Sequence, residues 1–181
     1  PAALLGTGPS PVPMLQESAR LLEAWGAEVI AIPCNTAHGF LPDVRRAVGV
    51  QVLDMIGIVG RAIAREYAEG EPIGLLATTA AQQVGVFHRS IPAFEMVTPG
   101  PREQEELVTA AILQVKLEDS VEQPRSKLLR ALDTLSPSPR AVIAGCTEVE
   151  LALSGAETPI PVFYPLDLLA EEIVRVAWAQ G

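Results

Sequence analysis

A parallel α/β fold of two facing, pseudo-symmetric lobes, with sheets flanked by helices, is what the sequence predicts, on three observations. Short β-branched or apolar runs bounded by Gly and Pro alternate with helical patterns, which is the order of βαβ units. The runs read as parallel strands buried on both faces. Two similar junctions, "IAIPCNTAHGF" at 30–40 and "AVIAGCTEVEL" at 141–151, each end a buried run in a cysteine and open a helical pattern.

The elements follow in order. Ser10 is placed as an N-cap with Pro11 at the first helical position, and Leu15, Leu22 and Trp25 recur at helical spacing until Gly26 stops the helix. "AEVIAIP" and "VQVLDM" read as strands, followed by a helix over Ile58–Ala68. "PIGLLAT", "AFEMVTP", "PRAVIAGC" and "PIPVFYP" are four further strands. Helices are expected at Arg102–Lys116, with "REQEEL" as a solvated start, and at Glu122–Leu135 and Leu166–Ala179. Met14, Trp25 and Trp178 read as packing residues. Crossings between lobes are expected at 70–72 and 154–161, giving a first lobe of residues 1–70 and 155–181 and a second of 71–154.

The 181 residues are 49% hydrophobic, enough for a packed core. A net charge of -9, with only Lys116 and Lys127 beside the arginines, argues against nucleic acid, which calls for a basic face. No apolar run reaches the roughly 18 to 20 residues of a membrane span, despite a mean hydropathy of +0.28, and no signal peptide opens the chain at Pro1. No membrane partner and a cytoplasmic location are the expectation. Two cysteines make no disulfide scaffold and read as reduced thiols.

Cys34 and Cys146 both fall at the carboxyl ends of strands, where ligands of open α/β sheets gather. Free N–H groups at the start of the next helix favour a thiolate there and can hold a carboxylate. Asn35, Thr36 and Thr147 add short polar side chains. Two thiols across a cleft suit removal of a proton from one face of a carbon and its return on the other, with no metal or organic cofactor. His38 lies one helical turn from Cys34 and is read first as a helix residue near the site, with a tuning role, a base for the thiol or a Cys-His metal pair as the lesser readings. Zinc wants three or four ligands, and only His88 and scattered carboxylates remain, so no metal site is expected. Taken alone, a strand-end cysteine is a small buried hydrophobe, Lys116 a solvated helix lysine, and Glu148 an acid suited to a first helical turn.

"PCNTAH" followed by "GCTE", with "GPSPVPMLQESARLLEAWGAEVI" before and "IGLLATTAAQQVGVF" between, resembles the aspartate/glutamate racemase family along nearly all of the chain. The resemblance implies two pseudo-symmetric α/β lobes, an active site in the interlobe cleft, and cofactor-independent racemisation of aspartate or glutamate. It implies Cys34 and Cys146 as the acid/base pair, with Asn35, Thr36, Thr78, Lys116, Thr147 and Glu148 around the substrate, and a homodimer. Lys116 falls where relatives resembling aspartate racemase pair a lysine with a substrate carboxylate. Ala81 stands where a second threonine is usual, and the family's opening strand and glycine-rich loop would precede Pro1. Maleate isomerases and arylmalonate decarboxylases share strand-end cysteines but not this motif pair. A non-catalytic homologue is the reading from a different class.

Overall fold

In the computed structural model, which describes residues 2–117 and 120–179, the six expected strand runs are all strands, trimmed to their centres. β1 (Val29–Ile30) and β2 (Gln51–Val52) pair in parallel. β3 (Pro72–Ala77), β4 (Glu95–Val97), β5 (Ala141–Gly145) and β6 (Val162–Phe163) form a second parallel sheet in the order β4-β3-β5-β6. The helices are α1 (Val12–Ala24), α2 (Leu41–Arg45), α3 (Met55–Glu66), α4 (Thr79–Gln83), α5 (Val86–Ser90), α6 (Pro101–Glu103), α7 (Ala110–Leu117), α8 (Glu122–Asp133), α9 (Thr147–Leu153) and α10 (Pro165–Ala179). The fold is α/β, with parallel sheets flanked by helices.

Both faces of the four-stranded sheet are covered, which is why its strands are continuous apolar runs. Ile73, Leu75 and Ile143 turn toward Met55, Ile56, Val59 and Ile63 of α3, Phe87 of α5 and Leu169 of α10. Leu76, Val142 and Ala144 turn the other way, toward Val108, Ile112 of α7, Leu128 and Leu132 of α8, and Val149 and Leu153 of α9. Each fully buried Leu or Ile contributes about 1.5 to 3 kcal/mol relative to exposure. A smaller cluster, Ala19, Ile30, Leu41, Val44 and Val52, packs α1 and α2 on the short sheet.

The segment 155–181, expected to return to the first lobe, goes two ways. Strand β6 pairs with β5, while α10 packs on α3.

Several local expectations change. The N-cap of α1 is Pro11, not Ser10, although the Val12 N–H does donate to Ser10 Oγ at 3.3 Å. Ala19 is the buried residue of α1, whereas Met14 is 69% exposed, Trp25 79% and Trp178 82%, so these three are surface residues and not packing. A helical spacing does not say which face meets the body. Asp54 ends the "VQVLDM" run early, because its Oδ1 accepts the Gly57 N–H at 2.9 Å and caps α3. The helix expected after Cys34 is a 3₁₀ turn, Thr36–Phe40, leading into α2. Within the expected Arg102–Lys116 helix, residues Gln104–Thr109 form a π-helical turn. "REQEEL" is not uniformly solvated, since Gln104 is buried.

Candidate active site

The sheet order creates a switch point: from β3 the chain moves outward to β4 and then crosses back to β5 on the other side of β3. Crevices of open α/β sheets lie at the carboxyl ends of two such strands. Ala77 pairs with Gly145 there, so the next residues, Thr78 and Cys146, stand side by side at the sheet's carboxyl edge. Thr78 caps α4, its Oγ1 accepting the Ala81 N–H at 3.3 Å, and Cys146 is the N-cap position of α9. Gly145 admits this closeness, because a Cβ on it would lie 2.6 Å from Leu75 Cδ1 and 2.9 Å from the Ala77 Cβ. From the other sheet, the loop after β1 carries Cys34 and Asn35 into the 3₁₀ turn, where Thr36 Oγ1 lies 3.4 Å from Thr78 Oγ1. The Cys34 junction therefore touches the end of β3, the strand that pairs with the one carrying Cys146.

Around Cys146 the expected residues form one connected group. Its Sγ donates to Glu148 Oε2 at 2.9 Å, Thr147 Oγ1 donates to the same oxygen at 3.0 Å, and Lys116 Nζ lies 3.5 Å from Glu148 Oε1. Burial, followed by the hydrogen bond to Glu148 and its charge, pushes the Cys146 thiol up to about 12, with Lys116 opposing. This reverses the expectation that a helix N-terminus would favour thiolate at Cys146. Removing the sulfur from water and placing it on a carboxylate outweigh the partial charge of a seven-residue helix. Glu148 is held below the usual carboxylate range: burial alone would raise it, but bonds from Cys146, its own backbone and Thr147, and the charge of Lys116, prevail.

Cys34, by contrast, is exposed, and both thiols are free. Asn35 is 2% exposed, and neither its Nδ2 nor its Oδ1 has a hydrogen-bond partner. Such a buried amide is costly by about 1 to 3 kcal/mol per unpaired group. His38 is buried, and its two ring nitrogens are both engaged, Nδ1 with the Cys34 carbonyl at 2.9 Å and Nε2 with the Met55 N–H at 3.1 Å. It is thereby a strut between two backbone segments rather than a base or a metal ligand. Among the described residues, no three of His, Cys, Asp and Glu are grouped to hold a metal ion.

Sequence patterning missed a polar cluster behind this edge. Gln104 Nε2 donates to the Ala77 carbonyl at 2.9 Å, and Gln82 Nε2 donates to the same carbonyl at 3.2 Å and to Gln104 Oε1 at 2.8 Å. Thr109 Oγ1 lies 3.4 Å from both Gln104 Nε2 and Thr79 Oγ1. No local signal announces it, since a glutamine within an acidic run is ordinary helix surface.

A cysteine at the carboxyl end of β5, beside the switch point, with a carboxylate on its thiol and a lysine on that carboxylate, is the kind of polar edge at which α/β proteins hold small molecules. Residues 3–173 match the Asp/Glu/hydantoin racemase family, and the chain belongs to that family. Among curated proteins it is similar to the broad specificity amino-acid racemase RacX of Bacillus subtilis (strain 168), with 22% identity over 153 residues, 84% of this chain and 66% of that protein. The chain thus spans just under two thirds of that relative's length. In fold it is similar to Picrophilus torridus aspartate racemase, with a TM-score of 0.83 and 22% identity, over 97% of this chain and 73% of that one. It is similar also to an aspartate racemase homologue from Pyrococcus horikoshii OT3, with a TM-score of 0.77 and 25% identity, over 92% of this chain and 74% of that one. Among the described residues no helix is long and apolar enough to cross a membrane.

Proposed function

We propose that this protein racemises an acidic amino acid, aspartate or glutamate, by 1,1-proton transfer between Cys34 and Cys146 without a cofactor. The observation that carries this reading is the threonine contact, Thr36 to Thr78 at 3.4 Å, which draws the Cys34 turn up to the strand ends beside Cys146. The substrate lies between the Cys34 turn and the carboxyl ends of β3 and β5, where Thr78 and Cys146 stand.

The two thiols have unequal surroundings, and the proposed mechanism uses the difference. Cys146, buried and donating to Glu148, rests as the thiol and supplies a proton to one face of Cα. Exposed Cys34 takes the proton from the opposite face as thiolate. In the reverse direction the roles exchange, and the Cys146 thiolate then lies against the Glu148 carboxylate, so that Lys116 is needed to offset two negative charges. Lys116 is half exposed at its end of the pair with Glu148, which lets the ammonium be shared with a substrate carboxylate. Asn35, with its unpaired amide, together with Thr36, Thr78 and Thr147, supplies hydrogen bonds to the substrate's polar groups. A homodimer in the cytoplasm belongs to the same reading.

Proton NMR of each enantiomer of aspartate and glutamate in D2O tests it. Wild type is expected to invert the substrate and leave deuterium at Cα, because the returning proton comes from a solvent-exchanged thiol. Cys34→Ser and Cys146→Ser are each expected to abolish inversion, since a serine hydroxyl is far too weak an acid to serve as the anion. Full racemisation by either variant excludes the two-thiol mechanism, and a wild type that exchanges no Cα proton removes these two substrates.

A further inference from the structure

Lys116 reaches Glu148 from α7, and its direction depends on the π-turn just before that helix. In a regular α-helix, at about 100° per residue, Gln104 and Thr109 are five positions and so about 140° apart, on different faces. Thr109 and Lys116, seven positions apart, come within about 20° of each other. The i→i+5 turn over Gln104–Thr109 takes up one more residue than an α-turn, and Gln104 thereby joins the face of Thr109, where its amide reaches the Thr109 hydroxyl at 3.4 Å. That face is pinned twice beside the carboxyl end of β3: by Gln104 on the Ala77 carbonyl, which Gln82 of α4 also binds, and by Thr109 on Thr79, the first residue of α4. The planar Ala77–Thr78 peptide is fixed with it, so one clamp orients both the Thr78 backbone and the helix face that bears Lys116.

We propose that Gln104 and Thr109 are positioning residues, which through the clamp on Ala77 hold Lys116 against Glu148 and so govern the reactivity of Cys146. This rests on the reading of Cys146 as an acid/base residue. Its test is a thiol measurement that needs no turnover.

The rate of Cys146 alkylation by iodoacetamide is followed by mass spectrometry of the digested full chain, at one mildly alkaline pH and across a pH series. Lys116→Met is expected to slow it about threefold, the size of effect a half-exposed ion pair supports, because the cation that favours the thiolate is gone. Thr109→Val, which keeps the shape and loses the hydroxyl, is expected to slow it by a similar factor, and Thr109→Ser to restore the wild-type rate. Gln104→Met is expected to behave as Thr109→Val. The double variant Thr109→Val/Lys116→Met is expected to be no slower than Lys116→Met alone, since both changes remove one interaction. Folded Thr109→Val or Gln104→Met protein with a wild-type Cys146 rate overturns the proposal, as does an additive double variant. If Gln104→Met does not fold, the Thr109 pair decides. Racemisation assayed on the same samples separates the two readings: inactive wild type removes the racemase reading, while the thiol comparison still decides the positioning.

Discussion

His38 shows how a single residue's role follows from its partners. The Met55 N–H can only donate, so Nε2 must be the bare acceptor, and Nδ1 must carry the proton it gives to the Cys34 carbonyl. The ring is thus neutral, and burial, as the largest influence, lowers its pKa from 6.5. The unfolded chain takes up a proton first as the pH falls, so His38 supports folding fully above pH 6.5 and progressively less as the pH drops through its lowered folded value. The urea midpoint of wild type is therefore expected to exceed that of His38→Gln most at neutral pH, with the gap narrowing as the pH falls below 6.5. A gap independent of pH contradicts this account. The sequence placed His38 near the site, but Met55, the partner that makes it a strut, lies 17 residues away.

At the level of elements, β3 and β5 carry the site because they meet closely and nothing intrudes between them. Gly145 leaves no room for a side chain there, since a methyl group would meet Leu75 and Ala77 of β3 and Phe87 of α5 at 2.6, 2.9 and 3.1 Å. Gly145→Ala is accordingly expected to lower the unfolding free energy by about 1 to 3 kcal/mol, as overpacking does, read from urea denaturation. An unchanged midpoint shows that the strands part without strain. The strand runs themselves were plain in the sequence, because β-branched apolar runs between Gly and Pro have few other uses. The 3₁₀ turn after Cys34 and the π-turn at Gln104 were not, since each is a departure from regular helix chosen by contacts with Thr78 and Ala77 in another element.

Across the whole molecule, the parts of the chain are joined by buried groups as well as by the core. Glu150, 7% exposed on the helix that follows Cys146, accepts the N–H groups of Leu166 at 3.1 Å and Asp167 at 3.3 Å, and so caps α10. Helix α10 in turn packs on α3, whose first N–H is held by His38 beside Cys34. Replacing Glu150 by Ala leaves two helix N–H groups without that acceptor and is expected to cost about 1 to 2 kcal/mol. Hydrogen exchange is expected to speed up first at the Leu166 and Asp167 amides. Protection lost uniformly over the chain, with no lead at α10, counts against this coupling.

The sequence by itself determined the alternation of strands and helices, the parallel sheet, the placing of Cys146 at a strand end and the likeness to a racemase family, because each is written in short patterns of hydrophobicity, Gly, Pro and motif, whereas Cys34 lies in the loop beyond β1. Only the tertiary structure decided that β3 lies between β4 and β5, which puts Thr78 beside Cys146. It alone decided that Cys146 is held as a thiol on Glu148, that His38 is a strut, and that a buried glutamine fixes the face of the Lys116 helix. Those outcomes depend on desolvation, charge and hydrogen bonds between residues far apart along the chain, and no local pattern encodes them.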